Sequence, residues 1–249
     1  MHDLQKSDNG ISIIIPALNE EKLIERTLKQ FTKEIRVKYD LEIIVSDGGS
    51  KDSTLEIAGK YADRIVDYRE KIPQNISQGR NAGAMDSQRD VLIFFNADTI
   101  IRDPEIFFPA ILKETANENI AAVACKIEVF PEERKLSDKI FHGFYNNYTA
   151  MLNKYFMGMG RGECHIFHRK YFFRVNGYDE KLAAGEDFDI YKRLRKLGKI
   201  KFRRDLVIYE SPRRYRKFGY PRVIWDWGKN SVSVFLFKKS ISKEWKAVR

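Results

Sequence analysis

Carboxylates recur in this chain at the points where apolar runs stop. The run Val91-Leu92-Ile93-Phe94-Phe95 ends in Asn96-Ala97-Asp98, and residues 41–46 end in Asp47-Gly48-Gly49-Ser50. The first apolar run, Ile11-Ser12-Ile13-Ile14-Ile15, meets Pro16 and then Asn19-Glu20. A fourth acidic pair, Glu186-Asp187, follows Gly185 and opens a helical pattern. Any one of these tips has an ordinary explanation, since Asp-Gly-Gly suits a turn and an acid suits a helix start. Three of them at the ends of parallel strands would share one edge of a sheet, which is where open α/β sheets bind ligands. Oxygen ligands in such a place suit a hard divalent cation completed by a substrate phosphate.

The elements that must hold these residues alternate between strand and helix. Residues 11–15, 41–46, 64–68 and 91–95 read as strands, the first, second and fourth short and apolar enough to be buried on both faces. Between them, Ile24, Leu28, Phe31 and Ile35 make one helical stripe, with Asn19 as its expected N-cap and Glu20 and Glu21 in its first turn. Asp52-Ser53-Thr54 caps a second helix through about Tyr61, and Gln78-Gly79-Arg80-Asn81-Ala82-Gly83-Ala84 opens a third after a polar loop. Short links between alternating elements argue for a parallel sheet with helices on its faces. Beyond residue 100 the pattern gives a helix from Pro104, a strand over 120–129, an aromatic helix over 136–156 and a short strand at Cys164-His165-Ile166-Phe167. A helix then runs from Gly185 to Gly198, followed by two short strands, 199–204 and 206–210.

Bulk properties narrow the classes. The 249 residues suffice for one large α/β domain, and the net charge of +10 points to nucleic acid, an anionic membrane or a phosphorylated substrate unless it is a solvated surface. No nucleic-acid module is present and the basic residues are spread along the chain, which argues against nucleic acid. Cys125 and Cys164 are too few and too far apart for a disulfide framework or a zinc site, so both are expected as buried thiols. The polar first ten residues lack a secretory apolar core and no run approaches a membrane span, so a cytoplasmic protein is expected. There is no Gly-x-Gly-x-x-Gly, no Walker loop and no Gly-x-Ser-x-Gly elbow. Carboxylates are left to carry the chemistry.

Taken together, Ile14-Ile15-Pro16-Ala17-Leu18-Asn19-Glu20-Glu21, Val45-Ser46-Asp47-Gly48-Gly49-Ser50-Lys51-Asp52-Ser53-Thr54, Gly79-Arg80-Asn81-Ala82-Gly83, Phe95-Asn96-Ala97-Asp98-Thr99 and Asn176-Gly177-Tyr178-Asp179-Glu180 with Gly185-Glu186-Asp187 resemble a family 2 glycosyltransferase. The resemblance covers roughly residues 10–210, in the family's order. It implies an α/β fold of GT-A type: a Rossmann-like sandwich with a mostly parallel central sheet flanked by helices. Residues 1–219 would form that domain, with 10–100 as nucleotide-binding half and 101–219 as acceptor-side half, and 220–249 would be a C-terminal amphipathic, helical appendage.

The same resemblance implies roles. Pro16, Ala17, Asn19, Glu20, Asp47 and Gly48 would hold the nucleotide, with Arg80, Asn96 and Ala97 beside it. Asp98 with Asn96 would bind Mg²⁺ or Mn²⁺ bridging the diphosphate of a nucleoside-diphosphate sugar. Asp187 would take the proton from an acceptor hydroxyl in an inverting transfer, and Glu186 would orient the acceptor or a neighbouring loop. With a lipid phosphate as acceptor no base is required and Asp187 would position instead. Asn96 stands where the family has an acid, which opens a second reading, a catalytically silent relative that binds nucleotide or glycan.

Outside the motifs, Glu163 is a candidate wall of the acceptor pocket, and His165 is either a ligand or a packed strand histidine. The basic run Pro212-Arg213-Arg214-Tyr215-Arg216-Lys217 is either a solvated loop or a gate over the diphosphate, with Arg213 and Arg214 as the phosphate contacts. The tail mixes Trp225, Trp227, Phe235, Phe237 and Trp245 with Lys229, Lys238, Lys239 and Lys243. It can pack back onto the domain or a second subunit, or lie on the inner face of an anionic bilayer as a peripheral contact, where a lipid-linked acceptor would be found.

Overall fold

The computed structural model describes residues 10–68 and 74–242. The rest of the polar N-terminus, the stretch 69–73 and the tail from 243, including Lys243 and Trp245, lie outside the described residues.

Four strands build the first half: β1 (Ile11–Ala17), β2 (Leu41–Asp47), β3 (Arg64–Asp67) and β4 (Val91–Phe95), and all their pairings are parallel. β1, β2 and β4 carry continuous apolar runs because both faces of each are covered. Ile13, Ile43 and Ile93 point into one core with Phe107 and Phe108, while Ile14, Leu92 and Phe94 point into a second with Tyr178 and Tyr191. The second half adds β5 (Thr99–Ile101), β6 (Ile120–Val129), β7 (Cys164–His168) and β8 (Lys199–Glu210). The eight strands form one sheet in the order β3-β2-β1-β4-β7-β6-β8-β5. β7 runs antiparallel to both β4 and β6, and β5 antiparallel to β8, so the sheet is mostly rather than wholly parallel.

These directions decide where function can sit. The C-terminal ends of β1, β2, β4 and β8 and the N-terminal ends of β5 and β7 all reach the same edge. An antiparallel β7 delivers residue 163 to that edge because it enters the sheet there, next to the residue leaving β4: the Asn96 amide donates to the Glu163 carbonyl at 3.3 Å.

Helices cover both faces. The stripe expected after β1 is interrupted: α1 (Ile24–Lys29) and α2 (Lys33–Lys38) are separate, because Thr32 stops the first and caps the second, its Oγ1 accepting from the Ile35 amide. Asn19 is no N-cap. It adopts a left-handed conformation (φ 53°), tolerable for Asn, and its Oδ1 accepts from the Lys51 amide while its own amide donates to Ser50 Oγ. α3 (Thr54–Ala58) is shorter than expected, and α4 (Ile76–Asp86) begins two residues before Gln78, which serves instead in a capping box with Asn75. α5 (Pro104–Thr115) starts at its expected proline behind an Asp103 cap. α6 (Leu136–Tyr155), α7 (Arg169–Arg174) and α8 (Glu186–Leu194) follow. The two strands expected over 199–210 are one, with a register shift after Cys125 and Arg203 that leaves residues 204–206 unpaired with β6.

The basic run forms a short helix, α9 (Arg213–Phe218), rather than a loop, and α10 (Tyr220–Phe237) closes the described chain. One face of α10 packs back, Val223 against Phe141 and Tyr215 and Val234 against Leu182 and Phe188. Both cysteines are buried free thiols. Among the described residues no helix is long and apolar enough to cross a membrane.

Candidate active site

At the shared edge, β2 ends in Asp47, which is fully buried. Its Oδ2 accepts from the amides of Gly49 (2.8 Å) and Ser50 (2.7 Å), while Oδ1 has no partner. Gly49 takes φ 92°, a conformation that favours glycine, and this curls the loop around the carboxylate. The Gly48 amide donates to the Ala17 carbonyl at 2.8 Å, so the loops after β1 and β2 are tied together. The Glu20 amide donates to Thr54 Oγ1 at 2.8 Å, adding another tie. Pro16, Ala17, Asn19, Glu20, Asp47 and Gly48 are thus brought into one pair of interlocked loops.

β4 delivers Asp98 beside this pair. Its side chain is 13% exposed, and Oδ2 lies 3.2 Å from Arg213 Nη2. Burial pushes its carboxyl up to about 6 even though Arg213 pulls the other way, and the negative charges of Glu20 and Glu163 add to the rise. Arg213 also donates two bonds to Glu20, at 2.9 and 2.8 Å. A single guanidinium on α9 therefore bridges two carboxylates, Glu20 and Asp98, from the loops after β1 and β4.

Arg80, on α4, is buried between the ends of β4 and α8. The side chain is 1% exposed: Nη1 donates to Glu186 (2.9 Å), and Nη2 to the Gly162 carbonyl (2.7 Å) and to Asn96 Oδ1 (3.3 Å), while Nε is buried without a partner. It fixes the ends of β4 and α8 relative to each other. Asn96 is thereby turned toward Arg80, while Ala97 is buried, its carbonyl accepting from Thr27 Oγ1. The neighbouring Asn81 exchanges both amide bonds with the backbone of Tyr178, which locks the loop before α8 onto α4.

The start of α8 separates its two acids. Glu186 points down to Arg80, whereas Asp187 is partly buried and its Oδ1 accepts from the Phe188 amide. Burial, then the Glu186 charge, push the Asp187 carboxyl up to about 7. A carboxylate poised there is suited to accept a proton near neutral pH.

Behind Asp187 lies a buried ionic cluster that the sequence did not disclose. Arg161 Nη2 donates to Glu163 (2.9 Å), Glu210 (2.6 Å) and Tyr215 (3.0 Å), and Nη1 meets His142 Nδ1 at 2.9 Å. Burial would raise Glu163, but Arg161 outweighs it and holds that carboxyl low, whereas burial and the Glu163 charge push Glu210 well up. Glu163 Oε2 is buried without a partner. His165 sits in the core, its Nδ1 2.6 Å from the Tyr178 hydroxyl, and burial followed by the Arg80 charge keeps it neutral. It is the packed strand histidine. Arg214 adjoins Arg213 on α9, while Arg216 is taken up by buried Asp138 at 2.8 and 2.5 Å and anchors the helix.

No group of three or more His, Cys, Asp or Glu among the described residues could hold a metal alone. One buried carboxylate with Glu20 and Glu163 nearby, balanced here by Arg213, fits a hard cation whose remaining ligands come from the substrate.

With the geometry in place, the comparison with known sequences is decisive: Glycosyl transferase family 2 matches residues 12–175, well over half of the chain. The chain belongs to that family. The probable glycosyltransferase YdaM of Bacillus subtilis is 27% identical over 240 residues, covering 89% of this chain and 56% of that protein. The chain thus spans little more than half the length of this relative. A Campylobacter jejuni protein named GalNAc(5)-diNAcBac-PP-undecaprenol beta-1,3-glucosyltransferase is 28% identical over 248 residues, covering 94% of this chain and 73% of that one. Among solved structures, the mannosyltransferase PcManGT of Pyrobaculum calidifontis superposes with a TM-score of 0.65 at 20% identity, over 81% of this chain and 56% of the other. That likeness establishes the GT-A fold. The family match ends at residue 175, so α8 with Glu186 and Asp187 lies beyond it.

Proposed function

We propose that the chain is an inverting glycosyltransferase that moves a sugar from a nucleoside-diphosphate sugar to a hydroxyl of a glycan or lipid-linked acceptor. The observation that carries the reading is the convergence of Asp47, Asp98 and Asp187 on one edge of the sheet, with Asp98 and Asp187 raised by burial toward neutrality. Asp47 and the loops it ties reach the base and ribose of the nucleotide. Asp98, with Asn96 if its amide turns from Arg80, would hold Mg²⁺ or Mn²⁺, which would supply charge neutralisation for the departing diphosphate. The Pyrobaculum structure is described as a complex with GDP-Man and Mn²⁺, which supports this assignment.

Arg213 leaves Glu20 and Asp98 for the diphosphate as the donor enters, with Arg214 beside it. On the acceptor side Asp187 takes the hydroxyl proton while the oxygen attacks the anomeric carbon. The bond from that carbon to the diphosphate oxygen breaks on the opposite face, and inversion follows from this single displacement. Arg80 and Glu186 position the base, and Glu163 forms the buried wall beside it.

The second reading, a silent relative that binds nucleotide or glycan, is favoured by one feature, the Asn96 oxygen engaged with Arg80. Release of nucleoside diphosphate from a panel of sugar nucleotides with Mn²⁺ separates the two. Turnover abolished in Asp98→Ala and Asp187→Asn supports the enzyme; nucleotide binding without any turnover supports the silent relative.

A further inference from the structure

α6 is amphipathic on both sides. Its inner face is committed to the fold, with Asn146 exchanging bonds with Ile127 of β6 and His142 meeting Arg161. Its outer face presents Leu136, Ile140, Phe144, Tyr148, Met151 and Tyr155 at steps of three and four residues, with Phe144 70% exposed and Leu136 72%. Among the described residues nothing covers this stripe, and an exposed apolar stripe of that length marks a docking site.

α10 adds a second such face. Ile224, Trp225, Val232, Leu236 and Phe237 are exposed on it. The two helices meet where the Trp227 ring lies 6.2 Å from that of Phe141 and 5.6 Å from that of Tyr145.

Charge selects the occupant. The exposed positions of α6 include Lys139 and Lys154 and no acid; on α10 Arg222 is exposed, and Lys238 and Lys239 are exposed just past its end. Asp226, the one acid on α10, is paired with Lys229 at 2.6 Å. An apolar stripe whose exposed helical positions carry cations and no acid is complementary to anionic headgroups over acyl chains. A second copy would bring the same cations, on a chain of net charge +10, against them.

We infer that the outer faces of α6 and α10 dock this domain onto an anionic lipid bilayer, lying in the interface rather than crossing it. The same α6 closes the acceptor side of the cleft through His142 and Arg161. On the glycosyltransferase reading, an acceptor carried by a lipid then meets Asp187 without leaving the membrane. The docking itself does not depend on that reading.

Vesicle flotation of the 249-residue chain tests it, with phosphatidylcholine alone and with about 30% phosphatidylglycerol added. The expected result is flotation with the anionic vesicles, several-fold less with the neutral ones, weakening as salt is raised. The double substitution Ile140→Asp/Phe144→Asp should lower partitioning by about tenfold or more while leaving Tm and nucleotide binding unchanged. Both side chains are exposed, so the fold should survive, and the unchanged Tm verifies that. No flotation of the wild type, or flotation undiminished in the double variant, overturns the inference. Concentration-dependent dimers that the same substitution dissolves would assign the surface to a second copy and overturn it equally.

Discussion

Asp187→Asn should make the protein more stable and less active at once, and the stability gain should depend on pH. Burial and Glu186 raise the carboxyl from 3.8 to about 7, so the folded state holds a proton that the unfolded state releases. The penalty on folding is absent below about pH 4, grows as pH rises through the window, and is complete above about pH 7. About three units correspond to about 4 kcal/mol. Solvent at the partly buried carboxyl, and Glu186 titrating with it, bring the expected gain to about 2 kcal/mol at pH 8. The gain should shrink by more than half at about pH 5. Urea denaturation of both proteins at the two pH values, without metal or nucleotide, reads this directly. Transfer by the variant should fall about 10²- to 10⁴-fold, and the wild-type rate should rise with pH through about 7 as the base ionises. A stability change independent of pH, or a loss at pH 8, would refute the buried-carboxylate argument. Transfer unchanged in the variant would refute the role as base.

Arg80→Met strands Glu186 in a buried site and should cost about 3–5 kcal/mol, measured by urea denaturation, with the double variant Arg80→Met/Glu186→Gln recovering part of it. Arg213→Ala should raise the donor KM about tenfold or more, while calorimetry with Mn²⁺ alone shows tighter binding because Asp98 has lost its competing cation. Gly83→Ala should destabilise by about 1–3 kcal/mol in thermal unfolding, since a Cβ there would sit 2.5 Å from Ile14 Cγ2 where α4 crosses β1. Asp47→Ala should weaken nucleotide binding in a calorimetric titration about tenfold or more, leaving vesicle flotation unchanged.

The half of the fold built on parallel strands was legible because each strand is short, apolar and followed by its own turn chemistry. From that alone Asp47 and Asp98 could be set on one edge. Asn19 was misjudged for a local reason: an Asn before two acids fits a helix cap, and its left-handed turn is fixed by contacts to Ser50 and Lys51 thirty residues on. The ion pair of Arg80 was hidden for a distant one, since the partners that bury it, Glu186 and Gly162, come together only when β7 enters the sheet antiparallel. The Arg161 cluster had almost no sequence signal. Its members at 142, 161, 163, 210 and 215 share no spacing, and a lone Glu at the end of an apolar strand was the only hint. α6 was recognised as a helix, but its two apolar faces read as one until its partners showed which side was covered.

The most direct measurement is a thermal-shift panel of UDP, GDP, CDP and dTDP with and without Mn²⁺ on the wild type and Asp98→Ala. A ligand that binds only the folded state raises Tm by mass action. The expected result is a shift with one or two of the nucleotides that requires Mn²⁺ and disappears in Asp98→Ala. Absence of a shift with all four, or the same shift in Asp98→Ala with and without Mn²⁺, would contradict a metal-bridged nucleotide site at the end of β4.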